Sequence, residues 1–187
     1  VLFILDNTAN WSQKASGTNS SKFAIEKPVL RNTFNTLPVN TSTGAARYRV
    51  GVMLATETGA GNSNVEGGYI RAAVRPMTST NRALYGTLID TLDETADKGN
   101  GGVGALQMAE AHRYFAGLSP VAGNGKVKTD YLNNPSTGNS YPSNAARSAN
   151  KAVVDLGSNA LAGKDGSPYT SPFSTGSCAK NFIIYIS

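Results

Sequence analysis

The sequence predicts an α/β protein built on a doubly wound, mainly parallel sheet with one antiparallel edge strand, and three observations lead there. Val1 to Leu5 is an unbroken apolar run rich in β-formers, the pattern of a strand buried on both faces of a parallel sheet. Strand-like and helix-like segments then alternate along the chain, which is how strands joined by crossover helices read. Finally, Arg47–Thr56 and Tyr69–Val74 both read as strands, and the short glycine-rich stretch between them joins them most simply as an antiparallel hairpin.

Taken in order, the first strand stops on Asp6, and a polar loop runs from Gln13 to Ser21. From Lys22 to Leu37 the apolar residues Phe23, Ile25, Val29, Leu30, Phe34 and Leu37 recur at helical spacing, with Ser20 or Ser21 as cap and Pro38 after the end. Pro28 inside this stretch predicts either one kinked helix or a turn followed by a shorter helix. Arg71 interrupts the second hairpin strand and predicts an edge position with one wet face. Thr78–Thr95 reads as a helix capped by Ser79 or Thr80, with Leu84, Leu88, Ile89 and Leu92 on one face. Val103–Phe115 reads as another, with Leu106, Met108, Ala109, Tyr114 and Phe115 as its apolar residues. Leu118–Ser177 is a long insertion rich in Gly, Asn, Ser, Pro and Tyr, with room for one short helix at Ala145–Leu156; connections of this length are uncommon and usually functional or mobile. Asn181–Ile186 reads as another buried strand. The chain starts and stops within strand-like runs, as a fragment of a longer polypeptide would.

Composition narrows the function classes. The 187 residues suffice for one good core. Charged residues make up only 16 %, while Gly, Ser, Thr and Asn abound, a balance that suits an extracytoplasmic protein with long polar loops. The net charge is +5, but the basic residues are scattered and form no polybasic run interleaved with aromatics, which argues against nucleic acid. Cys178 is the only cysteine, so no disulfide closes within these residues. No apolar run approaches the ~20 residues of a transmembrane helix.

The chemistry-bearing stretch follows the first strand. Asp6, Thr8 and Asn10 form a D-x-T-x-N pattern that places a carboxylate, a hydroxyl and an amide carbonyl at alternate positions. These are hard oxygen ligands of the kind Mg²⁺ or Ca²⁺ takes, and the carboxyl end of a strand is where open α/β sheets bind ligands. Turn formation and helix capping are the ordinary alternative for the same residue types. Other motifs fail on context. Gly99-Asn100-Gly101-Gly102-Val103-Gly104 fits G-x-G-x-x-G, but a helix precedes it where a dinucleotide site needs a strand. Gly163-Lys164 is followed by Asp165, where a phosphate loop has Ser or Thr. His112 is the only histidine and has no visible orienting partner, so it reads as a surface or packed residue. Nothing marks the chain as an enzyme.

Three stretches together resemble the von Willebrand factor A domain: Val1–Ser12 its first strand and metal loop, Arg47–Val74 its hairpin, and Gly101–Phe115 its glycine loop and following helix. The runs Asp6–Ser12, His112–Gly117 and Ser177–Ser187 are similar, more narrowly, to the PilC/PilY-type tip adhesins of bacterial type IV pili. The resemblance implies a Rossmann-like sheet with further strands beyond Ser187. It also implies an extracellular location, at the bacterial surface or pilus tip, and a role in pilus assembly, surface attachment and surface sensing. Its implied partners are minor pilins and a host or surface ligand. It further implies Mg²⁺ or Ca²⁺ at a degenerate metal-ion-dependent adhesion site, with Asp6 and Thr8 as ligands and Asn10 in place of a serine. The family's loop threonine falls at Val103, which has no ligand oxygen. A metal-free scaffold docking on minor pilins is the alternative, and a metal-dependent enzyme a third, which would need a general base near Asp6.

Overall fold

A computed structural model describes residues 1–56, 66–94, 98–99, 104–119, 168–173 and 180–187. Its elements run β1 (Leu2–Leu5), α1 (Lys22–Thr36), β2 (Arg49–Thr56), β3 (Glu66–Pro76), α2 (Ser79–Thr91), α3 (Gly104–Ala116) and β4 (Ile183–Ile186). The expected short helix at 145–156, Val103 and Cys178 lie outside the described residues.

The described strands form one sheet in the order β3-β2-β1-β4. β1 pairs in parallel with β2 on one side, Leu2 opposite Gly51, and with β4 on the other, Leu2 opposite Ile183. β2 and β3 are the expected antiparallel hairpin, with β3 at the edge. The hairpin is longer than its apolar residues suggest, because pairing continues from Arg49 opposite Pro76 to Thr56 opposite Glu66.

All of β1 is buried, and its alternation assigns the two faces. Phe3 and Leu5 point into a core built with α1 and α2, where Phe23, Leu30, Phe34, Tyr85, Leu88 and Ile89 meet Val52 and Leu54. Leu2 and Ile4 point the other way, onto a smaller core of Met53, Ile70, Val74, Ala111 and Tyr114 under α3. The helices therefore cover both faces, as a doubly wound sheet requires.

Local chemistry fixes the helix ends. Ser21 caps α1 by accepting from the Ala24 amide at 3.1 Å, and Thr78 caps α2 by accepting from Asn81 at 3.2 Å, so the α2 cap lies just before the Ser79 or Thr80 expected for it. Pro28 sits inside a single α1. It is exposed, as is Ala24, so the carbonyl that loses its donor faces water and the helix tolerates the ring.

Three expectations are overturned. β4 is not buried: Phe182, Ile183, Ile184 and Tyr185 are all exposed, because among the described residues this strand has a neighbour on one side only. β3 is the edge strand but has no wet face in Gly67–Ile70 and Ala72–Arg75, which are buried under helices on both sides. On α3, Leu106 and Met108 are exposed, and the helix turns Gln107, Glu110, Ala111 and Tyr114 to the sheet instead.

Polar contacts explain that choice of face. Tyr114 takes the backbone N–H of Val74 at 2.8 Å, at the irregularity where β3 slips against β2. From the opposite layer, the Tyr85 hydroxyl donates to the Ala73 carbonyl next door. Two tyrosines, one per helical layer, thus satisfy adjacent backbone groups of one strand. Glu110 accepts a hydrogen bond from Tyr169, whose ring meets Tyr114 edge-on at 5.6 Å. Residues 168–173 are therefore fastened to α3, although they belong to the stretch expected to be a loose insertion. Ser171 Oγ donates to the Phe115 carbonyl at 2.6 Å, and Phe173 stacks on Phe115 at 5.1 Å.

Candidate functional site

The carboxyl ends of β1 and β4 come together with the loop after β1 and the first turns of α1 and α3. After Leu5 the chain turns so that Asp6, Asn7 and Thr8 are all buried, and a 3-10 turn at Ala9–Ser12 drives Trp11 into the core. Trp11 lies flat on Phe23 of α1 with ring centroids 3.9 Å apart, which ties the loop to the helix. The Gly99 amide donates to the Asn7 carbonyl at 2.8 Å, so the glycine-rich stretch begins against the same loop.

The three sequence-predicted ligands stand as follows. Asp6 is 8 % exposed, and its Oδ1 is buried without a hydrogen-bond partner. Thr8 precedes the 3-10 turn, and its hydroxyl makes no capping bond there. Asn10 lines a cleft shared with Asp6. The capping role that such residues ordinarily play is thus unfilled for Asp6 Oδ1 and for Thr8. An anionic oxygen held out of water without a partner is costly, and a cation is one species that would offset that cost. On this criterion Asp6 fits a hard divalent ion, with Thr8 and Asn10 as further oxygen donors. No group of three or more His, Cys, Asp and Glu side chains gathers among the described residues, so a metal here would rest on one carboxylate and neutral oxygens.

Three residues that sequence reasoning missed surround Asp6. Glu26 of α1 lines the same cleft; burial, and then the charge of Asp6, raise its carboxyl to about 7. Its Oε1 is also buried and unpartnered. Burial first, and then the charge of Asp6 to which it hydrogen-bonds, hold the proton of the Tyr185 hydroxyl of β4 more tightly than usual. Gln107 of α3 approaches Tyr185 from the other layer and is fully buried. The signal for Glu26 was present in the spacing Phe23, Glu26, Leu30, which puts an acid on the core face of α1. Gln107 carries the same signal with Ala111 and Tyr114.

The cleft between α1 and the end of β4 has a volume of about 400 Å³, a size that suits a small ligand or a single inserted side chain. Phe3, Trp11, Ile25, Leu30 and Ile186 supply apolar wall, and Asp6 and Glu26 the polar base. His112, by contrast, is exposed on α3 and belongs to no such cluster. No helix among the described residues is long and apolar enough to cross a membrane. Comparison with known proteins leaves the site to be interpreted on its own chemistry: no protein-family model, no curated protein and no solved structure matches this chain.

Proposed function

We propose that this chain is an extracellular binding module of the pilus-tip adhesin kind, engaging protein partners through the carboxyl-end face of its sheet. In this reading it is a von Willebrand factor A-like domain. Asp6, Thr8 and Asn10 hold Mg²⁺ or Ca²⁺, and the ion supplies a positively charged contact point for a partner's acidic group. The observation that carries the reading is the Asp6 carboxylate: buried at the end of the central strand, with Oδ1 unpartnered. A group in that state is a ligand waiting for a cation or a cost with no return.

The experiment is thermal unfolding of the protein in chelator, in Mg²⁺ and in Ca²⁺, beside Asp6→Ala. A ligand bound by the native state alone raises stability by RT ln(1 + [L]/Kd), about 2.7 kcal/mol at a hundredfold excess over Kd. The expected result is a metal-dependent rise that Asp6→Ala abolishes. No shift with either ion would retire the metal site.

In that event the reading passes to a metal-independent scaffold docking on minor pilins, which the uncovered apolar strand β4 favours. A metal-dependent enzyme is the third class, for which Glu26 supplies the acid near Asp6 that the sequence did not reveal. It is held subordinate because the cleft's carboxylates are matched by no feature of the sequence that marks a nucleophile.

A further inference from the structure

Asp6 and Glu26 face one cleft, and neither is in an ion pair among the described residues. Arg31 pairs with Asp90 at 3.2 Å, on the outer surface of α1 and α2, away from the cleft. Lys22, one turn before Glu26, lines the same cleft yet makes no ion pair with it. Asp6 Oδ1 and Glu26 Oε1 are both buried and unpartnered, and the first belongs to a side chain more than nine-tenths buried. Trp11 lines the same cleft, 3 % exposed; its indole N–H is a donor that an ammonium does not satisfy, so its part in the site is as apolar wall. Around these polar groups the walls are apolar, formed by Phe3, Ile25, Val29, Leu30 and Ile186.

We infer that this cleft binds a primary ammonium group carried on an apolar stem, namely a lysine side chain presented by a partner protein. The chemistry is complementary at both levels. Two carboxylates in low dielectric call for a positive charge, and a four-carbon stem gives the apolar walls something to cover. The ammonium has three donors for the two orphaned oxygens. A polypeptide occupant is favoured over a free amine by the setting. Ile186 forms part of the cleft wall, and it closes β4, whose outer edge is unpaired among the described residues. A partner segment can pair with that edge while one of its side chains enters the cleft. The inference shares Asp6 Oδ1 with the metal proposal, so ammonium and divalent ion are alternative occupants of that oxygen; Glu26 belongs to the ammonium site alone, which is why Glu26→Gln separates the two.

Trp11 is the sole tryptophan of the chain, so its emission reports on the cleft directly. The protein, in chelator at pH 8, is titrated with Nα-acetyl-lysine amide and with Nα-acetyl-norleucine amide, which keeps the stem and lacks the charge. The expected result is a saturable change with the lysine derivative and at least tenfold weaker binding of the norleucine one. Glu26→Gln should weaken the lysine derivative at least tenfold while leaving the norleucine response and the Mg²⁺-dependent shift in unfolding unchanged. Asp6→Asn gives a second route to the same loss should Glu26→Gln fail to fold by circular dichroism. Equal binding of the two derivatives, no saturable change, or full binding by Glu26→Gln would each overturn the inference. Binding that appears only in Lys22→Gln would make Lys22 the natural occupant. Spermidine binding tenfold tighter than the lysine derivative would make it a free polyamine. Either result would remove the partner lysine.

Discussion

Glu26 is where a single side chain sets a pH dependence. Its carboxyl is raised from 4.5 to about 7, first by burial and then by the Asp6 charge. The folded state therefore holds this proton more tightly than the unfolded chain does. The residue costs nothing below the ordinary carboxylate range, and its penalty grows as pH rises from 4.5 through 7. Glu26→Gln removes that penalty. In urea unfolding with chelator, the variant should gain about 1–2 kcal/mol at pH 8, allowing for solvent screening of a half-buried group, and little at pH 5. Equal gains at both pH values would mean that the effect is packing and not charge. Tyr114 gives a second residue-scale prediction. Tyr114→Phe leaves the Val74 amide buried with no partner from α3, and should cost about 1–3 kcal/mol in the same assay. Asp6 and Thr8 were legible as candidates because oxygen-bearing side chains follow an apolar strand there, although the same residue types also form turns and caps. Glu26, Gln107 and Glu110 were not, because polar residues on a helix are read as its wet side. Here they take core-facing positions and meet partners, or lack them, that come from distant parts of the chain.

Among the elements, α3 shows how closely backbone can approach backbone. A Cβ placed on Gly68 of β3 would meet Glu110 Cβ and Met53 Sδ, each at 2.8 Å. Gly68→Ala must lift α3 from the sheet, at a cost of about 1–3 kcal/mol. The displacement should also loosen the Tyr169 contact with Glu110, which accelerated hydrogen exchange at the Tyr169 amide would report. Helix and strand order was readable from apolar spacing throughout, since periods of 3.6 and 2 are properties of the local chain. The environment of β4 was not. An apolar strand carries the same residues whether or not a neighbour covers it, and cover is a matter of topology. Likewise, Pro28 left two readings open because a proline's effect depends on where the bereft carbonyl points, and a sequence does not say which face of α1 looks out to water.

For the molecule as a whole, the uncovered β4 governs behaviour in solution. Phe182, Ile183, Ile184 and Tyr185 are 37–56 % exposed in succession, on an edge that has no partner strand among the described residues and no proline or charge from Phe182 to Ile186. Such edges template pairing with other chains. These 187 residues expressed alone should associate with rising concentration in light scattering, and Ile184→Lys should suppress this while leaving the circular dichroism spectrum unchanged. Persistent association in that variant would move the sticky surface elsewhere. A different consequence follows from the fastening of residues 168–173 to α3. The Tyr169 amide donates to the Leu118 carbonyl at 3.2 Å, so the chain leaves the sheet layer and returns to it at one point. Whatever is threaded between those two residues is closed at its base by the fold itself, and the cost of closing a loop grows only slowly with its length. The position is in effect a socket: its rim, Leu118 with Tyr169, is made by residues outside the stretch it closes.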